Sequence, residues 1–309
     1  MMSALSKIDI RENKLRTKGR VLGILISDKT TGKNIIWATE SYLRYNKKKY
    51  LPKMQIKKEQ ITGQCGNLIQ PRASKSREEQ IKRTKEKAEV FTPLHIVNKM
   101  NTQIARSLRS TPGHTWLDFV NSTWLEIACG EGPFIAGRYN PATSSNAIVT
   151  VSRRVGFLDR KLQQVSKHTS DKVDWLYHAE TALKACYGYE WQGDNLLIAR
   201  ENILFTINDY YLDKFGKNIK TAQLEKFAEI ISWNIFQMDG LKYVVPMSCK
   251  HFTKTILGQP TILDGTPPDI VELYECEGCK KNDYSKHNGK YVKIMDWATE
   301  KPIKFVTLL

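Results

Sequence analysis

The chain has 309 residues, a formal net charge of +16, and 41% hydrophobic against 26% charged residues. That is enough for one large or two smaller domains with a full core, in proportions ordinary for a soluble globular protein. No apolar run reaches the ~20 residues of a membrane span, no signal-peptide core opens the chain, and the six cysteines read as thiols or metal ligands, so the expectation is a cytoplasmic protein with no membrane partner.

The charge is uneven. Residues 1–90 carry 22 Lys/Arg against 9 Asp/Glu, a net of +13, which leaves +3 for the remaining 219. Such asymmetry points to a polyanionic partner, most simply nucleic acid held through its phosphates, with a solvated basic face as the alternative. Within this region Val21–Ser27 and Asn34–Thr39 flank a polar turn containing Gly32 and predict a β-hairpin. Lys47–Lys49, Lys53, Lys57 and Lys58 follow, interleaved with Tyr42, Tyr45 and Tyr50. That mixture suits phosphate contact and base stacking, although tyrosines in a half-buried strand would equally be core. Residues 1–72 are therefore expected to be a basic, β-rich region that contacts DNA. From Ala73 to Glu89 the chain is polar and charged and predicts an exposed linking helix.

Thr92 and Pro93 mark a helix start, as N-cap and first helical residue, before Leu94, Ile96, Val97, Met100 and Ile104 at helical spacing. Leu125–Phe134 reads as a short strand with Glu126 at its end, a turn holding Gly130 and Gly132, and a helix beginning near Pro133. Backbone N–H groups in such a turn can approach a polar or anionic ligand. Neither the three-glycine dinucleotide fingerprint nor the Gly-Lys-Ser/Thr of a phosphate loop is present. Cys186–Glu190 reads as a strand ending in an acid that can bond ribose hydroxyls, with Arg154–Asp159 as the alternative. Asp194 is expected to cap the next helix, whose apolar residues include Leu197, Ile198, Leu204 and Ile207. A helix from Thr221 to about Ser232 then leads to a strand and to Asp239.

In that order, Phe91-Thr92-Pro93, the Glu126 to Phe134 turn, Glu190 with Trp191, and Asp239 resemble motifs X, I, II and III of the adenine-N6-specific DNA methyltransferase family, across about half the chain. The resemblance implies an α/β fold with a Rossmann-like core over residues 73–245, binding S-adenosylmethionine beyond the C-terminal ends of parallel strands. The cofactor residues it implies are Phe91, Thr92, Pro93, Glu126, Cys129, Gly130, Gly132, Phe134, Glu190, Trp191 and Asp239. Phe91 and the turn would flank the methionine end, Glu190 would hold the ribose, Trp191 would cover the adenine, and Asp239 would take its amino group. The family's Asn/Asp/Ser-Pro-Pro-Tyr/Phe, which binds the target amine and stacks on the flipped base, has no counterpart here. The nearest string is Thr266, Pro267, Pro268 and Asp269; threonine is a poor acceptor and Asp269 cannot stack.

Two functions are thus expected. One is an adenine-N6 DNA methyltransferase, the modification component of a restriction–modification or phage-defence system. The other is a catalytically incomplete subunit that binds cofactor and double-stranded DNA and needs a specificity, restriction or second methyltransferase chain. A paired-carboxylate nuclease site near Asp269, Glu272, Glu275 and Glu277 lacks a following Glu-x-Lys, and surface acids explain it equally well. Residues 246–309 add Cys249, Cys276 and Cys279, with His251 and His287 nearby. Cys276 and Cys279 have the spacing of a zinc knuckle, so the segment reads as a structural zinc site or as free thiols. Cys65, Cys129 and Cys186 read as small core fillers. Tyr291–Trp297 and Ile303–Leu309 predict a closing hairpin.

Overall fold

A computed structural model of the chain describes residues 16–143, 147–256 and 270–309. The N-terminal stretch differs from the expected hairpin. Val21–Leu25 is a short helix (α1), and only Ser27–Asp28 (β1) and Lys33–Asn34 (β2) pair, antiparallel. The apolar residues Val21, Leu22 and Leu25 lie at helical spacing, and all three are buried. The rest of the region to residue 72 is turns and short 3-10 segments, so among the described residues it is not β-rich.

Helix α2 (Arg77–Lys87) starts at Ser76, whose hydroxyl accepts from the Glu79 N–H, and stops at Ala88 in the left-handed region. Helix α3 (Leu94–Arg109) has extended Pro93, not Thr92, at its cap position, so it begins one residue later than expected. Helix α4 (Trp116–Asn121) carries a reciprocal Thr115–Asp118 cap. Strand β3 (Trp124–Glu126), helices α5 (Phe157–His168) and α6 (Lys172–Lys184), strand β4 (Cys186–Glu190), helices α7 (Gly193–Phe215) and α8 (Thr221–Asn234), and strand β5 (Ile235–Gln237) follow. The three strands lie in the order β3-β4-β5, all parallel, with Glu126 opposite Gly188 and Glu190 opposite Gln237. The protein is thus mixed α/β around a parallel three-stranded sheet, one βαβαβ unit.

Pleating sorts the residues of β4. Cys186, Gly188 and Glu190 are buried, while Tyr187 and Tyr189 alternate with them and pack with the C-terminal strands. The C-terminal segment has two antiparallel pairs, β6 (Phe252–Ile256) with β7 (Ile270–Tyr274), and β8 (Lys293–Asp296) with β9 (Lys301–Lys304), of which the second meets the two tyrosines; helix α9 (Glu277–Lys281) lies between the pairs in sequence. Tyr187 donates to the Met295 carbonyl at 3.1 Å, tying β8 beneath the sheet. On the other side a continuous apolar core joins Leu25, Trp37 and Ile56 to Leu197, Phe227 and Ile235. The expected boundary at residues 72/73 therefore does not divide the core. Thr266, Pro267, Pro268 and Asp269 lie outside the described residues. Among the described residues no helix is long and apolar enough to cross a membrane.

Candidate functional site

The helix expected near Pro133 does not form; residues 127–139 make a turn-rich loop instead. Two groups hold it. The Cys129 N–H donates to the Tyr189 carbonyl at 2.8 Å, fastening the loop to β4. The buried Glu131 carboxylate accepts from the Arg72 N–H and from the Tyr139 hydroxyl, both at 2.6 Å, and Asn202 of α7 donates to the Glu131 carbonyl and to the same hydroxyl's oxygen. Gly130 sits at φ +55°, and a Cβ there would lie 2.7 Å from the Phe91 ring. Its N–H, expected to face a ligand, donates to Glu190 Oε2 at 2.9 Å.

Beyond the ends of β3 and β4 lies a cavity of about 560 Å³. Phe91, Thr92, Glu126, Cys129, Gly130, Phe134 and Glu190 line it, converging from three separate stretches of sequence. Four expected residues stand apart. Pro93 precedes α3, and Gly132 packs toward Ala199 of α7. Trp191 donates its indole N–H to the Ala38 carbonyl and lines an adjoining cleft with Lys87, Glu190 and Gln192. Asp239 accepts from the Leu241 and Lys242 N–H groups, so its carboxylate closes the turn after β5. The alternative acid, Asp159, is in helix α5, not at a strand end, and accepts from the Gly137 and Gly156 N–H groups.

Two carboxyls meet in the cavity wall. Burial pushes Glu190 up to about 7, against its bonds from the Gln192 and Gly130 N–H groups, with Asp194 and Glu89 adding to the rise. Burial also holds Glu126 well above the usual carboxylate range; Phe134 and Ile135 N–H groups oppose this and Glu190 reinforces it. One Glu126 oxygen, Oε2, is enclosed without a hydrogen-bond partner. Such carboxyls are poised to meet a ligand that brings hydroxyl or N–H donors.

The sequence reading missed the polar frame around this wall. Arg83, on the helix expected to be exposed, is 3% exposed and bonds Glu89 at 2.6 Å and Asp194 at 2.9 Å. Tyr42 donates to Asp194 at 2.7 Å, and Asn195 donates to Glu89 at 3.2 Å. Asp194 is thus inside α7, anchoring α2 to it, and is not the N-cap; Gln192 holds that position. Glu89, Gln192 and Asn195 line the cavity, as does Asn101 of α3, which donates to the Phe134 carbonyl. Glu89 and Gln192 sit within two residues of the motif residues Phe91 and Trp191, which was the available signal; Asn195 had none.

In the basic region Lys47–Lys49, Lys53, Lys57 and Lys58 are exposed. Tyr42 and Tyr50 are core residues around Trp37, which leaves Tyr45 alone available for stacking. In the C-terminal segment Cys249, Cys276, Cys279 and His287 come together with their ligand atoms within 4.8 Å of one another, a group that could hold a metal such as zinc. Exposed His251 is not part of it. Cys129 and Cys186 are buried and Cys65 is half-buried, all as thiols. No protein-family model matches this chain, and no curated protein or solved structure matches it either.

Proposed function

We propose that the cavity binds S-adenosylmethionine and that the chain is a DNA methyltransferase component of the adenine-N6 type, built on a Rossmann-like core. One observation carries this reading: Phe91 and Thr92, the Glu126 to Phe134 loop, and Glu190 converge on one cavity at the C-terminal ends of β3 and β4. That is where a βαβαβ unit places its ligand, and about 560 Å³ lies in the ordinary range for such sites. Each Glu190 oxygen accepts one backbone N–H and keeps a lone pair for a ribose hydroxyl. Phe91, Val90, Met100 and Ile104 offer an apolar wall to the methyl-bearing end.

Equilibrium binding of S-adenosylmethionine to the purified chain tests this reading. Glu190→Ala should weaken binding roughly tenfold or more, since losing a hydrogen bond to a charged group costs ~1.5–3 kcal/mol. Asp239→Ala, which changes only the turn after β5, should have a smaller effect. Because Glu190 is pushed up to about 7, its ionised form is depleted as pH falls through that value. Affinity should therefore rise between pH 6 and 8 and level off above, and Glu190→Gln should remove that dependence. Wild-type affinity in a well-folded Glu190→Ala chain would exclude this pocket.

The exposed lysines support DNA as the partner. Deleting the N-terminal region would remove core residues such as Trp37 and Ile56, so point changes are the usable test. Replacing Lys47, Lys48 and Lys49 by Ala should make the log–log salt dependence of DNA binding shallower by up to ~3, at ~0.9 per phosphate contact. An unchanged slope would make these lysines a solvated face.

A second reading, completion of the catalytic site by a partner chain, also has support. Among the described residues no strand pairs with the outer edge of β3. Beside that edge the cavity rim exposes apolar side chains, with Val90 76% and Ile127 68% exposed.

A further inference from the structure

The Cys249, Cys276, Cys279 and His287 group lies apart from the cavity and has its own geometry. Three sulfurs converge on one ring nitrogen: Nδ1 of His287 is 3.7 Å from Cys249, 3.5 Å from Cys276 and 3.6 Å from Cys279. A ring nitrogen has a single N–H or a single lone pair, so hydrogen bonding does not account for three thiols around it. A tetrahedral zinc does. With Zn–S about 2.3 Å and Zn–N about 2.0–2.1 Å, the S···N edges of the tetrahedron come to about 3.6 Å.

The surroundings fit as well. The Asn288 N–H donates to Cys276 Sγ at 3.2 Å, a bond that steadies a ligating thiolate. A Cβ at Gly278 would lie 2.7 Å from His287 Nδ1 and from the His287 backbone N, so that cradle position requires the absence of a side chain, and one at Gly289 would lie a tight 3.1 Å from Cys249 Sγ. Lys242 lies near Cys279 and Cys249, which offsets the net negative charge of three thiolates around a dication.

We propose that this group binds one structural zinc that clamps the base of the β6–β7 arm to the turn after β5. Cys249 precedes β6 and Cys276 follows β7, so a shared ion ties the two strands together at the base of a two-stranded pair, which is marginal in water by itself. The same segment is fastened to the end of β5 by the Val244–Tyr291 bridge and by the Val245 N–H to Lys290 carbonyl bond. All four positions are filled by protein atoms, leaving no coordination site for water or substrate, which assigns the ion a structural role.

The test uses the untagged full chain, purified reduced and without chelator. Elemental analysis should find one zinc per chain, and cobalt exchange should give the visible bands of a tetrahedral thiolate site. Cys279→Ser and His287→Ala should lose the metal, whereas Cys65→Ser should keep it. If those two variants do not fold, the wild type stripped with chelator supplies the reading. Protease cuts should then appear between residues 249 and 291 and disappear when zinc alone is restored. Metal content far below one per chain with no cobalt spectrum would overturn the proposal, as would iron in place of zinc, metal retained by Cys279→Ser, or cleavage unaffected by zinc.

Discussion

Arg83→Ala is expected to destabilise the fold by about 3–5 kcal/mol, the usual result of removing one partner from a buried ion-pair network. The guanidinium stands between two carboxylates, Glu89 at 2.6 Å and Asp194 at 2.9 Å, and all three side chains are at most 3% exposed. Gln192 and Asn195 also accept from it, so the loss leaves four buried acceptors short of a donor, with Arg72 at 3.3 Å still bonded to Glu89 as a cation. For a domain of ordinary stability, about 5–15 kcal/mol, this is a large fraction of the whole.

The pH dependence gives the change a signature. Burial raises Asp194 and Glu89, but Arg83 and Lys75 more than reverse this, so both carboxyls lie below their ordinary values in the folded chain. Their contribution to wild-type stability is therefore complete above an unfolded pKa of about 4 and is lost as pH falls through the folded values. In Arg83→Ala the main opposition to burial is gone and Lys75 and Arg72 oppose it only in part, so both carboxyls rise and the stability gap to the wild type should narrow as pH falls from 8 to 5. Urea unfolding at those two pH values measures both effects. A midpoint change worth less than about 1 kcal/mol would mean that water reaches the site and solvates the acids. Replacing Arg83, Glu89 and Asp194 together by apolar residues should recover much of the loss, because the cost lies in unpaired charge.

The isolated chain is expected to bind S-adenosylmethionine yet transfer methyl groups to DNA slowly or not at all. No Asn/Asp/Ser-Pro-Pro-aromatic occurs anywhere in its 309 residues. Groups aimed at charge developing in a transition state are commonly worth ~10²–10³ in rate each, and threonine in place of an amide or carboxylate forfeits most of that. Without the aromatic, a flipped adenine also lacks a stacking surface worth ~1–3 kcal/mol. Tritium transfer from labelled cofactor to DNA measures the outcome. If a partner chain completes the site along the open edge of β3, adding it should restore transfer. Gly130→Val in this chain should then abolish it, because valine at φ +55° is strained and its Cβ would meet Phe91 at 2.7 Å. Full activity of the isolated chain, lost on changing Thr266 or Asp269, would make that string the catalytic motif. Full activity indifferent to those changes would place the catalytic groups elsewhere.

Elements whose signals are local could be read along the chain. The strand ending at Glu190, helices α7 and α8 and the end of β5 were legible because apolar spacing reports directly on which face is buried. The closing hairpin was legible only in its first arm: the second strand is Lys301–Lys304, and Phe305–Leu308, expected as strand, is a 3-10 helix that buries Phe305. The convergence of Phe91, Glu126 and Glu190 was legible only through their order along the chain. Other features depend on contacts between distant parts of the chain. Val21–Leu25 has strand-like composition, but its spacing lets one helical face enter the core, and burial outweighs propensity. No helix follows Pro133, because Glu131 is bonded to residues 59 and 8 positions away, and a helix would pull it off those partners. Arg83 lies in a stretch charged enough to read as solvated, and its burial depends on acids that are close only in space. The fourth member of the cysteine group was undecidable between His251 and His287 by spacing; the turn after α9 brings His287 to the three sulfurs, and that closure is a property of the folded chain alone.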